Sequence, residues 1–461
     1  MQNTDRFDAK KGLAWLAFFL LAFGLVSYGR YASGTGWDQV KSSRGANDFA
    51  SYYYGLQATV SGENPYDNGV LKRLAKKDQR PGVVHPFFYP PPYFLTMAWA
   101  TPLDLQTAHQ VFYWLGSLFL LSVLLALWRW LPSRGMFAAS GLILLFYTPI
   151  FDSLRMGQAN LLVLALVVWG VLLVEFEGAN KRRWLGGGLV GLACMIKMSP
   201  ALLVFWWMVR REWRPVVAAG LAAIGSSLLV LPWVDFSTQL YFYSDVLPSF
   251  TSGGYHGLTV PINIPMNHSI LNFCMQITGG FQDMSRSTEA TALASNLARV
   301  ISLSALLGLF ALLRRPNPDA ISRANAAAAF VVLMVLAPAF AYEHHFVFLM
   351  FPLLSVAAAL GEKRLQWPWA LVFFSIFLIL AWDLQDFKAI SASLGEGPRA
   401  LWSPAAVAFR ELKFIAAVGL GAMCVLAALS PQPKSLSSAD QKSSSMPRVM
   451  RRDPQEGDWL E

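Results

Sequence analysis

The sequence predicts an all-α polytopic membrane protein, and three observations predict it. Hydrophobic residues make up 55% of the 461 and charged residues only 14%, whereas soluble domains carry about 25% charged residues. Apolar runs that approach or exceed the roughly 17–25 residues needed to cross a hydrocarbon core recur along nearly the whole chain. The basic residues behind the net charge of +9 fall in short clusters between those runs. That pattern is topology rather than a nucleic-acid face, and no nucleic acid is expected as a partner.

Taken in order, the apolar runs predict spans over 12–32, 107–130, 136–152, 157–176, 184–209, 214–233, 290–313, 323–341, 343–360, 367–384 and 404–430. The first follows Arg6, Lys10 and Lys11 and resembles a signal peptide, but its length and the many runs after it read as an uncleaved span. The segment 87–100 is apolar, yet Pro90, Pro91 and Pro92 leave it about ten helical residues, or roughly 15 Å. It dips into the membrane without crossing. The run 184–209 is either one helix or a short pair broken around Lys197, Ser199 and Pro200.

Charge decides between those two. With a short pair, every clustered basic connection lands on one side: Arg6/Lys10/Lys11, Arg129/Arg134, Lys181/Arg182/Arg183, Arg210/Arg211/Arg214, Arg314/Arg315/Arg323, Lys363/Arg364 and the tail. A single span would turn the later clusters outward. The expectation is therefore about twelve crossings with both termini cytoplasmic. The transmembrane unit covers 1–430, with a first outer loop at 33–106 and a second at 235–289, and 431–461 is a disordered cytoplasmic tail. Cys194, Cys274 and Cys424 show no CxxC or metal-like spacing, so neither a disulfide framework nor a zinc site is expected. Gly186, Gly187, Gly188 and Gly191 read as close helix packing.

Chemistry-bearing residues collect at the outer face. Asp48 opens the stretch Asp48-Phe49-Ala50-Ser51-Tyr52-Tyr53-Tyr54-Gly55. It reads as the N-cap of a helix reaching about Val60, or as a carboxylate placed to take a proton from an acceptor hydroxyl. His85 and Tyr89 bracket a proline-stiffened return to the membrane, which is either a structural turn or a lid over a lipid-facing groove. Arg155, Gln158 and Asn160 stand at the outer start of a span, where helix N–H groups favour an anion. Lys197 lies at the tip of the short pair among apolar residues, and an intramembrane cation is by default a functional group. His344 and His345 follow Glu343 at another outer start and are able to donate to phosphate. Without spaced carboxylates they do not form a metal pattern. His256, Asn263, Asn267, His268 and Asn272 are candidates for hydrogen bonds to sugar hydroxyls, or simply loop structure.

The order of the Asp48-centred DFxxYYxG stretch, Gly62/Asn64-Pro65-Tyr66, Tyr89-Pro90-Pro91, Gly157-Gln158-x-Asn160, Lys197-x-x-Pro200 and Glu343-His344-His345 resembles glycosyltransferase family 87 over about residues 10–430. The resemblance implies a GT-C-like bundle with a helical first outer loop, in the bacterial inner membrane. It implies transfer of a sugar, mannose in the family's known members, from a polyprenyl-phosphate donor to a hydroxyl of a lipid or glycan acceptor outside the membrane. By the same resemblance the transfer inverts the anomeric carbon, uses no cofactor and is metal-independent or weakly metal-dependent, so that no divalent metal is expected. Asp48 is then the general base, and Lys197, Arg155, His344 and His345 bind the donor phosphate. Tyr52, Tyr89, His85, Gln158, Asn160, His256 and His268 line the donor and acceptor sites. The segment at Lys197 reads Lys-Met-Ser-Pro, longer than the family's Lys-Pro-like form. Competing readings are a secondary transporter, which also uses broken helices, and an O-antigen polymerase or ligase-like enzyme. Polar groups at the outer face rather than at mid-membrane, and no clear internal repeat, count against the transporter. The strongest cluster directly after the first span counts against the polymerase.

Overall fold

The computed structural model describes residues 9–42, 47–79, 84–176, 180–251, 262, 266–279, 290–382, 389–390, 393–394 and 404–431. These residues are helical apart from loops and a single antiparallel bridge between Asn267 and Tyr342. The expected 431–461 tail and His256 lie essentially outside them.

Helix α1 (Ala9–Ser33) is followed, across 33–106, by α2 (Thr35–Ser42), α3 (Asn47–Val60), α4 (Asn68–Lys77) and the five-residue α5 (Tyr93–Met97). With a 3₁₀ turn at Ala98–Ala100, the proline segment supplies only about 12 Å of helix, too short to cross. Helix α6 (Leu105–Trp130) starts at Asp104, whose carboxylate accepts the N–H groups of Gln106 and Thr107. The Thr107 hydroxyl and backbone N–H hold that carboxyl below its ordinary range, so the cap stays charged and contributes about 1 kcal/mol.

The span expected at 136–152 is two helices, α7 (Arg134–Phe146) and α8 (Thr148–Arg155), bent by 53°. Pro149 sits in the first turn of α8, where its missing N–H costs nothing. It cannot continue α7. Helix α9 (Asn160–Phe176) begins three residues later than the apolar run suggests, because Gly157 terminates α8 in a left-handed turn. Next come α10 (Asn180–Cys194) and α11 (Ala201–Val209), separated by the turn that holds Lys197, and then α12 (Trp213–Leu229). Within 235–289, α13 (Phe236–Tyr241) runs through a π turn into α14 (Leu247–Thr251), and α15 (Ile270–Thr278) follows.

The last part comprises α16 (Ala292–Leu313), α17 (Ala320–Leu336), a 3₁₀ turn at Glu343–Leu349 leading into α18 (Met350–Gly361), α19 (Trp367–Ala381), α20 (Pro404–Arg410) and α21 (Leu412–Leu429). Helix α17 stops at Leu336, short of the expected 341. The segment expected to be helical from 343 instead starts as the 3₁₀ turn.

Among the described residues, five helices are long and apolar enough to cross a membrane, six if the bent α7–α8 pair counts as one span. Helices α9, α12, α17 and α19 are apolar but shorter. Large apolar side chains such as Phe19, Leu118, Ile224, Leu303 and Trp367 point outward and are exposed. A water-soluble protein rarely exposes so much apolar surface; this is the surface of a multi-pass membrane protein. Small residues set the helix spacing. An added Cβ would lie 2.3 Å from the Pro215 carbonyl at Gly187 and 2.4 Å from the Ala219 carbonyl at Gly191, so α10 and α12 meet backbone to backbone. Gly186 makes the same close approach to Gly170 on α9, whereas Gly188 faces open space and is no packing residue.

Candidate active site

Helical spacing places Asp48 and Tyr52 on one face of α3. Asp48 lies within the first turn and not at the N-cap, as α3 begins at Asn47. Its Oδ2 accepts the Gln158 Nε2–H at 2.7 Å. The other side of that amide is fixed too: the Tyr52 hydroxyl donates to Gln158 Oε1 at 3.0 Å, and the Tyr89 hydroxyl lies 3.3 Å from the same oxygen and 2.5 Å from the Tyr52 hydroxyl. Phenols on one side and a carboxylate on the other leave one orientation for the amide. Burial pushes the Tyr52 and Tyr89 phenols well above their ordinary range. Both therefore stay protonated donors at neutral pH.

The strap from His85 to Pro92 is held over α3 by three contacts. The Ser51 hydroxyl donates to the Pro86 carbonyl at 2.9 Å, the Tyr66 hydroxyl donates to the Tyr89 carbonyl at 2.9 Å, and Tyr52 meets Tyr89 edge to face at 4.7 Å. Tyr66, from the Asn64-Pro65-Tyr66 turn, also packs on Phe87 and on Phe242 of the second outer loop. His85 Nδ1 comes to 3.8 Å from Asp48 Oδ1, an ion pair when the imidazole is protonated.

Gln158 reaches Asp48 because of Gly157, which has φ +66°. The Gln158 N–H closes back on the Ser153 carbonyl at 2.9 Å, and the Phe49 N–H donates to the Met156 carbonyl at 3.3 Å. A Cβ on Gly157 would fall 2.6 Å from the Phe49 Cβ, next to the catalytic candidate. Gly157→Ala is thus strained in its backbone by about 1–2 kcal/mol and also displaces Phe49. We expect a lower thermal midpoint in detergent and reduced activity, with Gly188→Ala, where nothing lies within 4 Å, as the silent control. Equal midpoints for the two variants would contradict this placement.

Lys197 leaves α10 in a tight turn, its N–H on the Ala193 carbonyl at 2.9 Å, while Pro200 starts α11. Its ammonium lies 5.6 Å from the Tyr89 ring centroid, over the ring, and Asp48 is among its electrostatic neighbours. His344 is buried and interacts electrostatically with Asp48, Lys197, Glu343 and His85. Its carbonyl accepts the Asn160 Nδ2–H at 2.8 Å, so Asn160 acts through the turn backbone.

The remaining candidates have local partners of their own. Arg155 Nη2 pairs with Asp152 at 2.9 Å and is an electrostatic neighbour of Tyr31. His345 Nδ1 accepts the Tyr342 N–H at 3.2 Å, its ring meets that of His344 edge to face at 4.4 Å, and Lys197 is among its electrostatic neighbours. One ring nitrogen thus serves the local turn, and of the pair His344 is the one with Asp48 among its electrostatic neighbours. His268 Nε2 lies 2.8 Å from Glu343 Oε1, and Asn267 and Asn272 bond to backbone and to Glu411. These contacts stitch the loop together. Sequence reasoning missed Lys413, whose ammonium is 2.8 Å from Glu343 Oε2. Its signal was a charge inside an apolar run. No three His, Cys, Asp or Glu side chains converge as a metal site among the described residues.

A carboxylate, an ammonium and an imidazole drawn from α3, the Lys197 turn and the Glu343–Leu349 turn suit chemistry in which one group loses a proton while another gains negative charge. The relatives are mannosyltransferases by description. The chain is 29% identical over 283 residues to the polyprenol-phosphate-mannose-dependent alpha-(1-2)-phosphatidylinositol pentamannoside mannosyltransferase of Mycobacterium tuberculosis, a match covering 57% of this chain and 61% of the relative. It is 24% identical over 241 residues to the polyprenol-phosphate-mannose-dependent alpha-(1-2)-phosphatidylinositol mannoside mannosyltransferase of Mycolicibacterium smegmatis, covering 48% of this chain and 51% of the relative. The Mycobacterium tuberculosis protein of that same description is 26% identical over 209 residues, covering 41% and 46%. The chain spans about half the length of the curated relatives it matches. No solved structure matches it. The family model of Glycosyltransferase family 87 matches residues 87–338, more than half of the chain and including the Tyr89 strap, the Gly157 turn and Lys197, and the chain belongs to that family.

Proposed function

We propose that this protein transfers a sugar, mannose by analogy with its relatives, from a polyprenyl-phosphate donor to a hydroxyl of a lipid or glycan acceptor at the extracytoplasmic face. The observation that carries this reading is the convergence of Asp48 with Lys197 and His344 around the Tyr52–Tyr89–Gln158 network. Asp48 accepts the proton of the acceptor hydroxyl. The acceptor oxygen forms its bond to the anomeric carbon from one side as the bond to the phosphate oxygen breaks on the other, so the configuration inverts. The electron pair leaves with the polyprenyl phosphate. Lys197 and His344 stabilise the charge that develops there, so the chemistry requires no divalent metal. The tyrosine strap keeps bulk water from the anomeric carbon, and Gln158 holds Asp48 in register with it.

The topology of this reading is a GT-C-like bundle of about twelve crossings, both termini cytoplasmic, with α10 and α11 as a short pair. Purified protein in vesicles, supplied with labelled polyprenyl-phosphate sugars and a membrane lipid extract, is expected to move label into the glycolipid fraction. Absence of transfer from every polyprenyl-phosphate sugar, together with ion-coupled uptake of a solute, would replace this reading with a transporter.

A further inference from the structure

Three ionisable side chains form a second buried cluster behind the site. Lys413, near the start of α21, has no exposed area, and Glu343 and His268 are almost fully buried. The Lys413 ammonium donates to Glu343 Oε2 at 2.8 Å and to the Trp382 carbonyl at 2.9 Å. The His268 Nε2 lies 2.8 Å from Glu343 Oε1, and against an ionised carboxylate, which only accepts, it serves as the donor. Each oxygen of Glu343 therefore has its own donor.

A buried ion pair is weak as a source of stability, since apolar residues of similar volume do as well or better. What it supplies is direction. Glu343 is the first residue of the 3₁₀ turn, and His344 is the next. His268 belongs to the second outer loop, which is fastened to the same stretch by the His268 N–H on the Ala341 carbonyl at 2.9 Å and by Asn267 Oδ1 accepting the Ala341 N–H at 2.8 Å. The turn is thus gripped from α21 on one side and from the second outer loop on the other.

We propose that Lys413 and His268 are positioning residues of the donor-phosphate site, holding Glu343 so that the turn presents His344 to the space shared with Lys197 and Asp48. This rests on reading that space as the donor-phosphate site. Neither residue touches the substrate. The second outer loop is then part of the donor site's framework.

The experiment compares four variants in vesicles with labelled polyprenyl-phosphate sugar: the double variant Glu343→Gln/Lys413→Met, His268→Leu, His268→Gln and Gly188→Ala as control. The double variant removes both charges together and so leaves no lone buried ion. Thermal midpoint and tryptophan fluorescence report the fold, and KM for donor and acceptor are measured separately. The double variant and His268→Leu should keep the fold and the acceptor KM, while the donor KM rises and kcat falls, about tenfold to a hundredfold in kcat/KM. His268→Gln, whose amide still donates to Glu343, should restore activity to within about threefold of wild type. If the double variant does not fold, the contrast between Leu and Gln at position 268 decides. Variants with wild-type donor KM and kcat, or a Gln variant as impaired as Leu, would overturn the positioning role while leaving the transferase reading intact. A wild-type protein that moves sugar from no polyprenyl-phosphate donor would overturn both.

Discussion

Asp48→Asn is expected to lower the rate of sugar transfer by about 10²–10⁴-fold, the range that a positioned general base contributes, while the protein remains folded. The reasoning separates geometry from proton affinity. Gln158 Nε2 donates to Asp48 Oδ2, and an Asn side-chain oxygen can accept the same bond. The Tyr52–Tyr89–Gln158 network that orients the residue therefore survives, and the neutral amide removes only the proton acceptor. At about 1.36 kcal/mol per factor of ten, the loss corresponds to roughly 3–5 kcal/mol of transition-state stabilisation. Donor KM and thermal midpoint should stay near wild type. A proportional fall in the midpoint would assign Asp48 to the fold instead.

Lys197→Met carries the second large effect. Removing a donor aimed at developing negative charge costs about 10²–10³-fold in kcat, or about 2.7–4 kcal/mol. The ammonium stands over the face of Tyr89 and is partly buried at the end of α10. Methionine fits that apolar turn without leaving an uncompensated charge, so stability should hold or rise. Lys197→Arg should recover only part of the rate, because a planar guanidinium does not reproduce a compact ammonium at the same distance. Donor titrations of the Met variant against wild type measure the effect. Wild-type kcat in Lys197→Met would remove the leaving-group role.

Much of this arrangement was legible in the chain because it is local. Asp48 and Tyr52 are one helical turn apart on α3, so their shared face follows from sequence alone. Pro200 and Lys197 mark a break that charge parity independently requires. Pro149 had equally marked the end of α7, but the apolar run over 136–152 masked it, since hydropathy is blind to a 53° bend. The rest depends on contacts that no local pattern encodes. His268 finds Glu343 across 75 positions and Lys413 finds it across 70. Asn160 reaches the His344 backbone across 184. Arg155 and His345 matched the profile of phosphate ligands, yet each is engaged by a neighbour three residues away, Asp152 and Tyr342. Spacing shows that such a local partner is within reach; only the folded chain shows that it is taken.

The central claim is that the polyprenyl phosphate is the leaving group of a direct transfer. It is tested most directly by counting both products in one reaction: sugar gained by the acceptor lipid and polyprenyl phosphate released, using doubly labelled donor and wild-type protein in vesicles. One polyprenyl phosphate for each sugar transferred, with both signals lost together in Asp48→Asn, is the predicted result. Glycosylated acceptor appearing without matching release of polyprenyl phosphate would contradict the account.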